Sequence, residues 1–235
     1  MDRRELGQLL NLSVELIAEG RPNRSGRKMA SLDAITVHNT SNASRGANAK
    51  AHSRFVREKG FYTLTSGKRV DVSWHYTVDD HEVIKHLPID ERAIHAGQGN
   101  GVSIGIEICM NQDIDQPAAN LRAQRLIAAL MHDLNLPETA IKTHKDWTGK
   151  NCPTLLVADF HQFRAGAAVI LRNLDRSGPV ESDTLVTTDE VVTSAEIEAR
   201  EQFSDQEDPV VEEGSASDVE HELVAEEVNA IIRRK

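Results

Sequence analysis

The stretch Thr143-His144-Lys145-Asp146-Trp147-Thr148-Gly149-Lys150-Asn151-Cys152-Pro153 constrains this chain more than any other. His144 and Cys152 stand eight positions apart on a segment too rich in Gly, Asn and Pro for a regular helix. A loop there can curl back so that both donors reach one point. Imidazole nitrogen and thiolate suit a borderline-soft cation such as Zn²⁺, which binds them at roughly 2.0–2.1 Å and about 2.3 Å. Two ligands do not make a site, so the fold must deliver a third donor and leave a fourth position open. Lys150 stands just before the cysteine, where a cation favours a thiolate or a developing anion.

The third donor is sought at the end of another strand. Asp33 to His38 is a short β-branched run that reads as a buried strand with His38 at its end, followed by Asn39-Thr40. Ile141 to His144 reads as a second brief strand running into the loop. From Val102 to Cys109 the chain alternates strictly: Val102, Ile104, Ile106 and Ile108 face one way, and Ser103, Gly105, Glu107 and Cys109 the other. A carboxylate at Glu107 is costly to bury unpaired. It either faces solvent or faces a metal-activated water as general base, and small Ser103 and Gly105 leave room for a substrate on its face.

The remaining pattern is mixed. Residues 6–18 read as a short helix leading into a strand. Ser44 is placed as the cap of a helix that Gly60 stops. His75–Asp79 and Val83–Leu87 flank Asp80-His81-Glu82 as a hairpin. Leu121–Leu134 and Leu155–Leu174 are expected as amphipathic helices. The fold class is α/β, a central mixed β-sheet flanked by helices. The Gly-rich run His95-Ala96-Gly97-Gln98-Gly99-Asn100-Gly101 lacks the following helix of a phosphate cradle, which excludes nucleotide binding.

Charge separates the body from the tail. The net charge of −10 divides into +2 over residues 1–175 and −12 over residues 176–235. The expected division is an N-terminal lead-in (1–30), a catalytic domain (31–175), an acidic and largely disordered linker (176–216) and a short amphipathic helix (217–235). Capping-box patterns open at Thr193-x-x-Glu196 and Ser217-x-x-Glu220. The second leads an apolar stripe, Val219, Leu223, Val224, Val228 and Ile231, that must meet another surface: this chain's own domain, a second copy in weak self-association, or another protein. A metal-bound Cys152 leaves no partner for Cys109, so no disulfide is expected. No run approaches the ~20 apolar residues of a membrane span, and the N-terminus lacks the apolar run of a signal peptide. No nucleic-acid or membrane partner is expected.

Five ordered motifs then carry a resemblance: Ile35-Thr36-Val37-His38-Asn39-Thr40, Trp74 to Asp79, Ile94-His95-Ala96-Gly97, Ser103 to Cys109, and His144-Lys145-Asp146-Trp147-x-Gly149-Lys150-x-Cys152-Pro153. Together they resemble the zinc-dependent N-acetylmuramoyl-L-alanine amidases of the amidase-2 branch, found in phage endolysins and Gram-positive autolysins and related to peptidoglycan-recognition proteins. The likeness spans roughly Ile35 to Leu171. It implies zinc on His38, His144 and Cys152, Glu107 as catalytic carboxylate, Lys150 near the oxyanion, and peptidoglycan as substrate. Asn39, His95 and Trp147 are assigned to the substrate groove. The implied place of action is the cell wall, reached by lysis or a phage pore. The alternatives are a wall-binding module that does not cut and a cytoplasmic amidase that recycles muropeptides. Ile94 stands where such enzymes often carry an aromatic residue, and the acidic tail resembles none of their wall-binding repeats.

Overall fold

The computed structural model describes residues 1–174 and 217–233. Helix α1 (Arg3–Leu10) is opened by an Asp2–Glu5 capping box, and strand β1 (Leu12–Val14) follows it. The central sheet also takes β2 (Ala34–Asn39), β5 (Tyr76–Val78), β6 (Val83–Lys85), β7 (Ser103–Ile108) and β8 (Ile141–Thr143). Its order is β1-β6-β5-β7-β2-β8. The β5–β6 pair is antiparallel and the other neighbours are parallel, so the sheet is mixed. The N-terminal lead-in thus contributes a strand to the sheet, through the pairing of β1 with β6.

The β2–β7 pairing fixes which side chains share a face. Ile35 and Val37 of β2, with Ile104, Ile106 and Ile108 of β7, are all fully buried on one side. They pack on Leu126, Ile127 and Leu130 of α3 (Gln116–Leu134) and on Phe163 and Ala167 of α5 (Phe160–Arg172). Fully burying one such aliphatic side chain is worth about 1.5–3 kcal/mol, so this face supplies the main core. The opposite face carries the polar members of the same alternation. Helix α2 (Ala49–Glu58) covers part of that side with Phe55 and Val56, against Ile17, Trp74 and Leu87.

Several boundaries differ from the sequence reading. The cap of α2 is Asn48, whose side chain accepts the amide of Ala51, and Ser44 lies in the preceding loop. Helix α3 starts at Gln116, capped by Asp115 with Pro117 in its first turn, ahead of the expected Leu121. The last helix of the body begins at Phe160, after a 3-10 turn over Val157–Asp159, and not at the expected Leu155. A hairpin of β3 (Phe61–Thr63) and β4 (Arg69–Asp71), turning at Gly67, was not foreseen. The Thr143–Pro153 segment also contains one short helix, α4 (His144–Thr148), with Gly149 in the left-handed conformation as its stop.

Helix α6 (Ser217–Ile232) lies against α2. Val228 is fully buried among Phe55, Val56 and Trp74, and Val224, Ile231 and Ile232 pack around it. Asn42 Nδ2 donates to the carbonyl of Ala225 and to Asn229 Oδ1, at 3.3 and 3.2 Å. Lys59 pairs with Glu227. Val224, Val228, Ile231 and Ile232 of this helix are therefore seated on this chain's own body. The 176–216 linker and the helix expected at Thr193 lie outside the described residues. No helix among the described residues is long and apolar enough to cross a membrane.

Because Val228 is the buried centre of the α6 contact, Val228→Asp places an unpaired charge there and should release the helix. We expect limited proteolysis to remove the C-terminal segment faster and the thermal midpoint to fall by a few degrees. A variant with wild-type protease resistance would show that α6 does not rest on this contact.

Candidate functional site

Three parallel strands end side by side at one edge of the sheet, and the candidate donors sit on those ends. In the β2–β7 register His38 is the direct partner of Glu107, and Val37 pairs with Thr143 at the end of β8. His144 follows immediately as the first residue of α4. Thr143 caps that helix in a reciprocal box with Asp146, which fixes the turn from which His144 projects. Cys152 returns to the same point, with the amide of Lys145 bonded to the Cys152 carbonyl at 3.2 Å.

The result is a compact donor set. One ligand atom each from His38, His144 and Cys152 lie within 4.8 Å of one another, and all three residues are buried. Cys152 Sγ is 3.6 Å from His38 Nδ1. A tetrahedral ion holding thiolate at about 2.3 Å and imidazole at roughly 2.0–2.1 Å sets such donors about 3.5 Å apart. His144 Nδ1 is buried with no hydrogen-bond partner, an expense that a bound cation would remove. By spacing and donor chemistry the trio fits zinc.

The other expected residues fall into two groups. Glu107 and Lys150 are at the site: Lys150 is buried, and its charge acts on Glu107, His144 and Cys152. Asn39 is fully buried, with its amide donating to the Ile108 carbonyl (3.3 Å) and accepting from Leu155 N–H (3.0 Å). It braces the loop after Cys152 onto the sheet and is not part of a groove surface. Trp147 is held from beneath: its indole N–H donates to Thr36 Oγ1 at 2.8 Å, and Thr36 passes a bond to Ser103 and on to the Gly99 carbonyl. The indole lies so close to Gly99 that a Cβ there would come within 2.8 Å of it.

His95 occupies the room that the small residues of β7 were expected to leave for substrate. A Cβ on Gly105 would lie 2.7 Å from His95 Nδ1, so the imidazole rests directly on the strand backbone. The residue that shapes its loop, Asn100, escaped the sequence reading. Asn100 Oδ1 accepts the amides of both His95 and Ala96, at 2.8 and 2.7 Å. A lone Asn in a Gly-rich run, where side chain-to-backbone bonds replace regular structure, was the available signal.

Electrostatics set Glu107 apart. Burial pushes its carboxyl up to about 8, against an opposing pull from Lys150, and Oε2 has no hydrogen-bond partner. Burial, with Lys150 adding to it, lowers His144 to about 3, leaving a neutral imidazole with a lone pair to offer. Burial and the nearby Glu107 push the Cys152 thiol up to about 12. Only a cation beside that sulfur makes the thiolate its stable form.

Residues 28–155 match the Amidase_2 family, described as N-acetylmuramoyl-L-alanine amidase. Two Bacillus subtilis (strain 168) proteins, the N-acetylmuramoyl-L-alanine amidases XlyA and CwlH, are 43% and 41% identical to it, each over 67% of this chain. The alignments cover 51% and 61% of those relatives, so this chain spans only part of their length. Among solved structures, the catalytic domain of XlyA superposes with a TM-score of 0.61 at 41% identity, covering 67% of this chain and 99% of that domain. PlyL follows at a TM-score of 0.55 and 26% identity, over 67% of this chain and 96% of its own.

A testable consequence concerns pH. Glu107 is raised from about 4.5 to about 8 in the folded protein, so between those values the native state holds a proton that the unfolded chain releases. Stability contributed by protonated Glu107 is present below about 4.5 and is lost as pH rises toward 8. In chelator-treated protein, Glu107→Gln should match wild type near pH 4.5 and exceed it in thermal midpoint by a widening margin up to about pH 8. A constant difference across that range would refute the assignment.

Proposed function

The chain belongs to the Amidase_2 family of N-acetylmuramoyl-L-alanine amidases, and from that premise we propose that it hydrolyses peptidoglycan. The bond cleaved is the amide between the lactyl group of N-acetylmuramic acid and L-alanine, and the place of action is the bacterial cell wall. The observation that carries the reading is the convergence of His38, His144 and Cys152 beside the half-buried Glu107, whose Oε2 is buried without a hydrogen-bond partner.

His38, His144 and Cys152 would hold zinc. Bound there, zinc supplies a Lewis acid for the scissile carbonyl and brings the pKa of water toward ~7. Glu107, raised to about 8 by burial, is suited to exchange protons near neutrality. In its ionised form it takes a proton from the attacking water, and the resulting acid returns that proton to the amide nitrogen as L-alanine leaves. Lys150 offsets the negative charge that grows on the carbonyl oxygen. Burial strengthens that effect, since both groups act in a medium of low dielectric constant. Asn39 and Trp147 contribute by holding the loops on either side of the donors, through the bonds described above.

Digestion of purified cell walls tests this directly. Mass spectrometry should find stem peptides with free L-alanine amino termini and no new reducing sugar ends. Binding without cleavage would instead indicate a recognition module, and cleavage confined to soluble muropeptides a recycling amidase. Glu107→Gln should lower turnover by a factor on the order of 10²–10⁴ while retaining metal.

The donor assignment has its own measurement. Cys152→Ser removes the soft ligand, and its zinc content by elemental analysis should fall sharply at a fixed low zinc concentration. Full zinc occupancy in Cys152→Ser, His38→Ala and His144→Ala would contradict it.

A further inference from the structure

Hydrogen bonds at both ring nitrogens of His95 together determine where its proton sits. Its Nε2 lies 3.2 Å from the backbone carbonyl of Ser103. A carbonyl can only accept, so Nε2 carries the hydrogen. The Nδ1 of a neutral His95 is then an acceptor, and it lies 2.9 Å from His38 Nε2. His38 must therefore donate through Nε2, which leaves its Nδ1 without a proton. That atom is the one facing Cys152 Sγ at 3.6 Å.

We propose that His95 is a positioning residue for the metal centre: it selects the His38 tautomer whose Nδ1 is the ligand, and fixes the plane of that ring. The inference rests on the zinc reading given above. It replaces a substrate contact at His95 with an outer-shell role, relayed from the Ser103 carbonyl through His95 to His38. Outer-shell partners of this kind orient a ligating imidazole and raise its basicity, and their loss commonly weakens metal binding 10–100-fold. The surroundings hold the relay in place from three sides. Gly105 lets the ring lie on β7, because any Cβ there would meet Nδ1 at 2.7 Å. Asn100 ties down the amides of His95 and Ala96. His75 packs edge-on against the His95 ring, with centroids 6.1 Å apart. His75 is itself fixed, accepting the Gly105 amide at Nδ1 (2.9 Å) and donating from Nε2 to the Glu91 carbonyl (2.9 Å).

Zinc affinity, measured by competition with a chromophoric chelator on the full chain, separates this role from a substrate contact. His95→Ala should bind one zinc 10–100-fold more weakly than wild type. His95→Asn, whose Oδ1 can accept from His38 near the position of Nδ1, should recover most of that loss. Unfolding of the chelated variants checks that both remain folded. Heteronuclear NMR of the ring nitrogens of wild-type protein gives a readout independent of either variant: His95 should carry its proton on Nε2 and His38 on Nε2. Wild-type affinity in His95→Ala, or a His95 proton on Nδ1, would overturn the proposal and leave the zinc reading intact. A wild-type protein that binds no zinc would overturn both.

Discussion

The parallel register between β2 and β7 is the constraint on which the rest of the molecule depends. Side chains alternate across a strand, so a slip of one residue would carry every member of the slipped strand to the opposite face. In the observed register, Ile35 and Val37 join Ile104, Ile106 and Ile108 in the core. The same register sets His38 beside Glu107 on the other face. One pairing therefore accounts for both the largest apolar layer and the meeting of a metal donor with a carboxyl. The core enforces the site: a one-residue slip of β2 that moved His38 away from Glu107 would turn Ile35 and Val37 out of the core.

Much of this was legible in the sequence, for a definite physical reason. The Val102–Cys109 alternation names both faces of β7 without knowledge of its neighbours. The hairpin of β5 and β6 is a local event, set by its turn. What escaped depended on contacts remote in sequence. Asn39 looked like a groove residue because it follows His38, yet its partners are Ile108 and Leu155. Gly105 looked like open space because glycine has no side chain, and nothing local announced that His95 would fill that space. Asn48 and Ser44 are both good helix caps, and only the structure shows which one receives the amide. The short β3–β4 hairpin carries too few residues for its alternation to stand out.

The site is also notable for how its supports are shared. Glu91 takes the guanidinium of Arg24 in a fork, at 2.8 and 2.7 Å, and its own carbonyl receives His75. Arg24 in turn donates to the Ile17 carbonyl at 2.7 Å. The N-terminal segment, the loop before His95 and the middle of β7 are thereby linked through buried, charge-assisted and histidine-mediated bonds. Such networks are costly when half-satisfied, because a buried partner left alone loses its solvation without compensation. They suit a rigid scaffold, and a metal centre built on strand ends needs one.

Gly105 gives this arrangement an unusual genetic signature. Its backbone is ordinary extended strand, so alanine there would cost little in conformation, and the strand itself would tolerate it. The penalty would fall instead on the imidazole ten residues earlier, displaced by a methyl group that has nowhere else to go. Defects at positions 95 and 105 should then mask one another, since a ring already lost cannot be displaced again. Sequence variation at two sites in different elements would be bound into a single epistatic unit, written in the packing of one ring on one bare backbone atom.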